Sequence, residues 1–228
     1  SVHRLDHVKF GVVCGEDGKR IKTRSGKSVR LVDLLDEGVR RCTETLKQRL
    51  KNESTTCKLR EDQIDEVASK LAHGCVKYFD LRLNRINDYV FSFDKMLSPD
   101  GDTNVYLQQQ HARICSIFRK AKAERNVESA LALVREGAVI DIVTKEEEAL
   151  AMQIISLPDV IRCVSNDLLP SSLCTWLFSL CKKLASFYAA CNVLNGKEMK
   201  SRLLLLEAAA IAMRQVMALI GIEALREL

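Results

Sequence analysis

The sequence predicts a mainly α-helical protein, a helical bundle preceded by a short β-hairpin. Three observations carry that prediction. Aromatic residues make up only 5% of the 228 residues and there are 3 prolines, which disfavours a β-sandwich or barrel. From Ser28 onward, apolar residues recur at intervals of three and four. The β-branched, period-2 signal is confined to the first few residues. A chain with 47% apolar and 29% charged residues is globular rather than disordered. No apolar run reaches the roughly 20 residues that cross a bilayer.

His7–Cys14 is rich in β-branched residues, Gly15-Glu16-Asp17-Gly18 is a hairpin-type turn, and Lys19–Thr23 returns. Two strands cannot bury a face, so they are expected to need a sheet this chain does not contain. With a start lacking Met and a signal-peptide layout, the expectation is a chain cut in mid-structure. Val29 to about Leu50 forms the first helix, and Arg60-Glu61-Asp62 opens a second that runs to about Phe79. Residues 80 to 92 read as an ordered connector. Pro99–Asp102 is a turn, with Asp102 or Thr103 capping a long helix to about Ala123. Shorter helices follow near 127–136, 145–156 and 158–166. After Pro170 a continuous stripe runs from Leu173 through Leu177, Leu180, Leu184, Phe187 and Cys191 to Leu194. The last helix repeats the pattern from Leu203 to Ile220 and ends at Gly221. Joined through Asn195-Gly196, these two are expected to pack antiparallel.

Net charge is +5, but residues 1–60 carry +7 and the remainder −2. A basic first quarter suits a local polyanion site, and equally a solvated surface. The nine cysteines include no Cys-x-x-Cys pair, and several fall in the apolar helical pattern, so they read as buried free thiols. His3 and His7 lie on an extended segment, which argues against a zinc site; no metal ligand set is predicted.

Two constellations stand out. Lys19–Lys27 places five cations, Thr23, Ser25 and Gly26 within nine residues. Such a loop can grip phosphate, because glycine admits close backbone approach while cations and hydroxyls complement the anion. It lacks the P-loop spacing, and a solvated basic turn is the other reading. On the long helix, Tyr106, Gln109, Arg113, Ser116 and Lys120 share one face, apart from Leu107, Ile114 and Phe118. An aromatic beside amides and cations handles unpaired bases; an ordinary polar face is the plain alternative. Glu146-Glu147-Glu148 reads as a solvated first helical turn. No complete catalytic constellation is present.

Ordered along nearly the whole chain are His7–Val13, Lys22–Gly26, Val29–Gly38, Val76-Lys77-Tyr78, Asn84-Arg85, Asp88–Leu97, Tyr106-Leu107, His111–Ile114, Phe187-Tyr188 and Arg202–Leu205. In that order they closely resemble the C-terminal half of arginyl-tRNA synthetase, a class I aminoacyl-tRNA synthetase that ligates arginine to its tRNA using ATP. The resemblance implies three regions. Residues 1–27 would be a remnant of the catalytic domain with its ATP loop, 28–95 a helical connector near the tRNA stem, and 96–228 an α-helical anticodon-binding domain.

It also implies roles. Arg20, Lys22, Thr23, Arg24, Ser25 and Gly26 look like the class I Lys-Met-Ser-Lys-Ser loop, which closes over ATP; Arg20 replaces the first Lys and Thr23 the second. Tyr106, Gln109, Arg113, Tyr188 and the terminal Leu228 would contact tRNA. Many relatives have Tyr where this chain has Gln109, and Ala where it has Gln110. The His-Ile-Gly-His signature does not occur in these residues, so a fragment inactive on its own is expected. ATP with Mg2+ would serve the full enzyme, with none bound here. Arginine tRNA would be the partner, with ATP and arginine reached through the missing catalytic half. An N-terminal half or other synthetases are further candidate partners; no membrane is involved, and the location is cytoplasmic. A split-synthetase subunit and a free-standing helical scaffold are the alternatives.

Overall fold

A computed structural model describes residues 4–20, 30–51 and 59–228. Residues 4–12 lead into strand β1 (Val13–Cys14). The predicted turn follows: Gly18 N–H donates to Gly15 O, Gly15 N–H to Lys19 O, and Cys14 bridges antiparallel to Arg20. The rest of the return, 21–23, lies outside the described residues. The ladder partner of β1 is strand β2 (Tyr89–Val90), parallel to it, with Val13 opposite Tyr89 and Cys14 opposite Val90. Two expectations are corrected here. The leading strand does find a partner within this chain, and residues 80–92 do more than connect. Gly11 makes the pairing possible, because its N–H donates to Arg85 O at 2.6 Å and a Cβ there would sit 2.2 Å from Asn87 O. Asp88 Oδ1 accepts from Val12 N–H at 2.6 Å.

The helices are α1 (Leu31–Lys51), α2 (Ile64–Leu81), α3 (Phe93–Met96), α4 (Asn104–Arg125) and α5 (Ala130–Arg135), then α6 (Lys145–Ile155), α7 (Leu157–Asp167), α8 (Ser171–Ala190) and α9 (Met199–Leu219). Side chains set several boundaries. Thr103, rather than Asp102, caps α4 by accepting from Tyr106 N–H, and Ser129 caps α5. Asp102 instead accepts from Tyr78 Oη–H at 2.6 Å. Helix α8 stops at Ala190, four residues before its apolar stripe ends. Cys191 is extended, and Cys191 and Val193 are still buried because a period of two replaces the helical one. Asn195 N–H donates to Asn192 Oδ1, turning the chain toward α9. Helix α8 also packs more extensively on α6 than on α9.

Two apolar clusters form the interior. The larger gathers α4 to α9 around fully buried Leu107, Ile114, Leu150, Leu177, Leu180, Leu184, Phe187, Leu203 and Met213. The smaller packs α1 against α2 and α3 through Cys42, Leu46, Ala68, Cys75, Phe79 and Met96, with Val105 and Leu225 closing it. Helix α4 belongs to both, so it joins them. The eight cysteines among the described residues are free thiols, five of them buried.

The acidic triplet at the start of α6 is not uniformly solvated, which corrects the sequence reading. Glu147 is 1% exposed and forms a capping box with Thr144. Its Oε1 meets Arg202 Nε at 2.7 Å, while Oε2 accepts from the N–H groups of Val143 and Thr144. Burial alone would raise this carboxyl, but Arg202 and the two N–H groups overcome it and hold it below its ordinary range.

Candidate functional site

Helices α4 and α8 form one face with two cross-helix pairs. Arg113, exposed on α4, lays its guanidinium carbon 4.2 Å from the centroid of the Tyr188 ring of α8. Two turns earlier, Tyr106 meets Phe178 edge-on at 5.9 Å between centroids. Tyr188 is itself edge-on to buried Phe187. Its hydroxyl is buried without a hydrogen-bond partner, and burial pushes the phenol up while Arg113 works the other way.

Beside the Arg113–Tyr188 pair opens a cleft of about 550 Å³. Helix α4 supplies Arg113, Ile117, Lys120 and Glu124, and the opposite wall is the chain from Tyr188 to Asn195. Arg125 donates to Asn195 Oδ1, and Arg202 Nη1 donates to Asn192 O at 2.9 Å. Arg202 therefore ties the wall to Glu147 of α6. A stacked guanidinium and ring, an exposed cation and exposed amides suit an unpaired base and its phosphate.

The structure thus joins Arg113, Lys120 and Tyr188, and sets Tyr106 and half-buried Gln109 on the same helix. Leu228 stands apart, half-buried against the α1–α2 cluster. Arg20 is exposed beyond the Gly15–Lys19 turn. Lys22, Thr23, Arg24, Ser25 and Gly26 lie outside the described residues. Sequence reasoning missed Phe178, Lys182 and the wall 191–195. Asn192, Asn195 and Gly196 signalled that α8 ends early, but the apolar stripe masked it.

The opposite side of α4 grips the segment after α9. Gln108, fully buried, donates to Glu223 O and accepts from Leu225 N–H, both at 2.8 Å. His111 Nδ1 lies 2.7 Å from Leu225 O, and Arg119 reaches Arg226 O and Glu227. Lys77 donates to Gly221 O. Side chains thus satisfy backbone groups on both sides of this irregular segment, in which Ile222 and Leu225 are buried.

Residues 107–228 match the family model of the DALR anticodon binding domain, and residues 1–93 match that of the class I (R) tRNA synthetase catalytic domain. Fold and match together define a class I tRNA synthetase chain with a helical anticodon-binding domain. Among its relatives is the chloroplastic/mitochondrial arginine–tRNA ligase of Arabidopsis thaliana, 41% identical over 219 residues that cover 96% of this chain and 33% of the relative. The cytoplasmic arginine–tRNA ligase of Rattus norvegicus is 38% identical over 231 residues, covering 98% of this chain and 34% of its own. The structure of arginyl-tRNA synthetase from Plasmodium falciparum superposes with a TM-score of 0.78 at 29% identity, over 97% of this chain and 35% of that one. The Thermus thermophilus arginyl-tRNA synthetase, 23% identical, shares the fold with a TM-score of 0.75, over 95% of this chain and 34% of that one. The chain belongs to the arginyl-tRNA synthetase family. It spans about a third of the length of the curated relatives it matches.

Proposed function

We propose that this chain supplies the tRNA-binding, anticodon-reading part of an enzyme that ligates arginine to its tRNA. The carrying observation is the Arg113–Tyr188 stack beside a cleft that Lys120 also lines, within the region matching the anticodon binding domain. Unpaired anticodon-loop bases stack on Tyr106 and Tyr188, Gln109 hydrogen-bonds a base edge, and Arg113 and Lys120 neutralise phosphates. Leu228 adds a contact from the chain end. Residues 1–27 carry the ATP loop, 28–95 the connector and 96–228 the anticodon-binding domain.

ATP, with Mg2+, supplies the leaving pyrophosphate in this reading; Arg20, Lys22 and Arg24 offset its charge, and Thr23, Ser25 and Gly26 shape the loop. Arginine and ATP are engaged through the catalytic part that the longer relatives carry, in the cytoplasm. The 228 residues alone activate no arginine, which an ATP–pyrophosphate exchange assay tests. For tRNA binding, Arg113→Ala and Tyr188→Leu each weaken binding of arginine tRNA while leaving the thermal midpoint near that of the parent. Unchanged affinity in both variants contradicts the proposal.

A further inference from the structure

Lys182 lies outside the lining of the Arg113–Tyr188 cleft. It is exposed on α8, its Nζ 4.9 Å from the centroid of Phe178, the ring whose edge meets Tyr106. Among the described residues, Arg113, Lys120 and Lys182 make no ion pair, so no neighbouring carboxylate offsets their charge. The face therefore carries two aromatic–cation stations in series. One is Tyr188 with Arg113; the other is Phe178 with Lys182, flanked by Tyr106. Seven residues separate Tyr106 from Arg113, about 10 Å along the α4 axis. A short single-stranded run spans that distance better than one base does.

Resting on the tRNA-binding reading above, we propose that Phe178 and Lys182 form a second contact station for single-stranded RNA. Lys182 takes a backbone phosphate next to the nucleotide held at Tyr106. The Phe178 ring holds the ammonium over its face, and among the described residues no carboxylate competes for that charge. A phosphate contact of this kind adds affinity and positions the strand without reading its sequence.

The test is tRNA affinity over a range of salt concentrations for the parent chain, Lys182→Met, Lys182→Arg and Arg113→Ala. Lys182→Met keeps an apolar stem over Phe178 and removes only the charge. Weaker binding is expected, with the slope of log affinity against log salt shallower by about 0.7. The loss is equal for arginine tRNA and for tRNA with a changed anticodon, and Lys182→Arg retains the parent slope. If Arg113→Ala weakens binding while Lys182→Met keeps the parent affinity and slope, the second station is overturned and the tRNA face stands. If neither variant alters binding, the face and the station fall together.

Discussion

Replacing Arg202 with leucine tests how the cleft wall is held. The side chain is 11% exposed and its partner Glu147 only 1%, so the substitution leaves a carboxylate buried without its cation. Breaking such a pair from one side costs about 3–5 kcal/mol. Val143 and Thr144 still donate to the second carboxylate oxygen at 2.8 and 2.9 Å. The loss should therefore fall at the low end, about 3 kcal/mol. For a chain of this size that is a drop in Tm of about 6–12 °C. Arg202→Lys keeps a charge near Glu147 but gives up the fork that also reaches Asn192 O, so it should lose less. Urea unfolding followed by circular dichroism reads both variants, with midpoints falling and the slope unchanged. A loss under about 1 kcal/mol for Arg202→Leu would instead place the pair among solvated surface bridges.

Acid should loosen the α4 grip on the C-terminal segment. Burial, the leading cause, lowers the His111 pKa below its ordinary 6.5, so the folded state prefers the neutral ring that donates from Nδ1 to Leu225 O. The unfolded chain then binds more protons, so this stability is fully present above 6.5 and is lost as pH falls through the depressed value. Asparagine can place a donor where Nδ1 lies, so Tm of His111→Asn should fall less between pH 7 and pH 5.5; parallel curves contradict the assignment. Gln108→Leu strands the buried Leu225 N–H, costing about 1–3 kcal/mol, and frees Glu223 O, and carboxypeptidase digestion of the end should quicken. Unchanged digestion and midpoint would mean the clamp is idle. Among the described thiols, exposed Cys163 should alkylate first. Burial pushes Cys42 up to about 11 and Cys75 and Cys174 to about 12, so these should react only on unfolding, which mass spectrometry of iodoacetamide adducts reads.

Helices were legible where periodicity was strong and caps were present, as at Thr103 and in the stripe from Leu173 to Phe187. Long-range pairing was not legible, because a two-residue strand such as β2 carries no periodic signal. What permits it is the close approach of Gly11 to Asn87, a tertiary fact. Glu147 was misread for the same reason, since burial of one glutamate in a triplet depends on Arg202, 55 residues away. Arg113 was legible from the helical spacing of one polar face and Tyr188 only through family resemblance, and spacing alone could not have paired them across two helices. Phe178 and Lys182 lie off the apolar stripe of their helix, and their place opposite Tyr106 follows only from how α4 and α8 pack.

The most direct test of the central claim is binding of arginine tRNA by this chain at two salt concentrations, beside the same tRNA with a changed anticodon. Salt-sensitive binding that is tighter for the native anticodon is expected. Equal affinity for the two tRNAs, or no binding to either, would contradict an anticodon-reading face on α4 and α8.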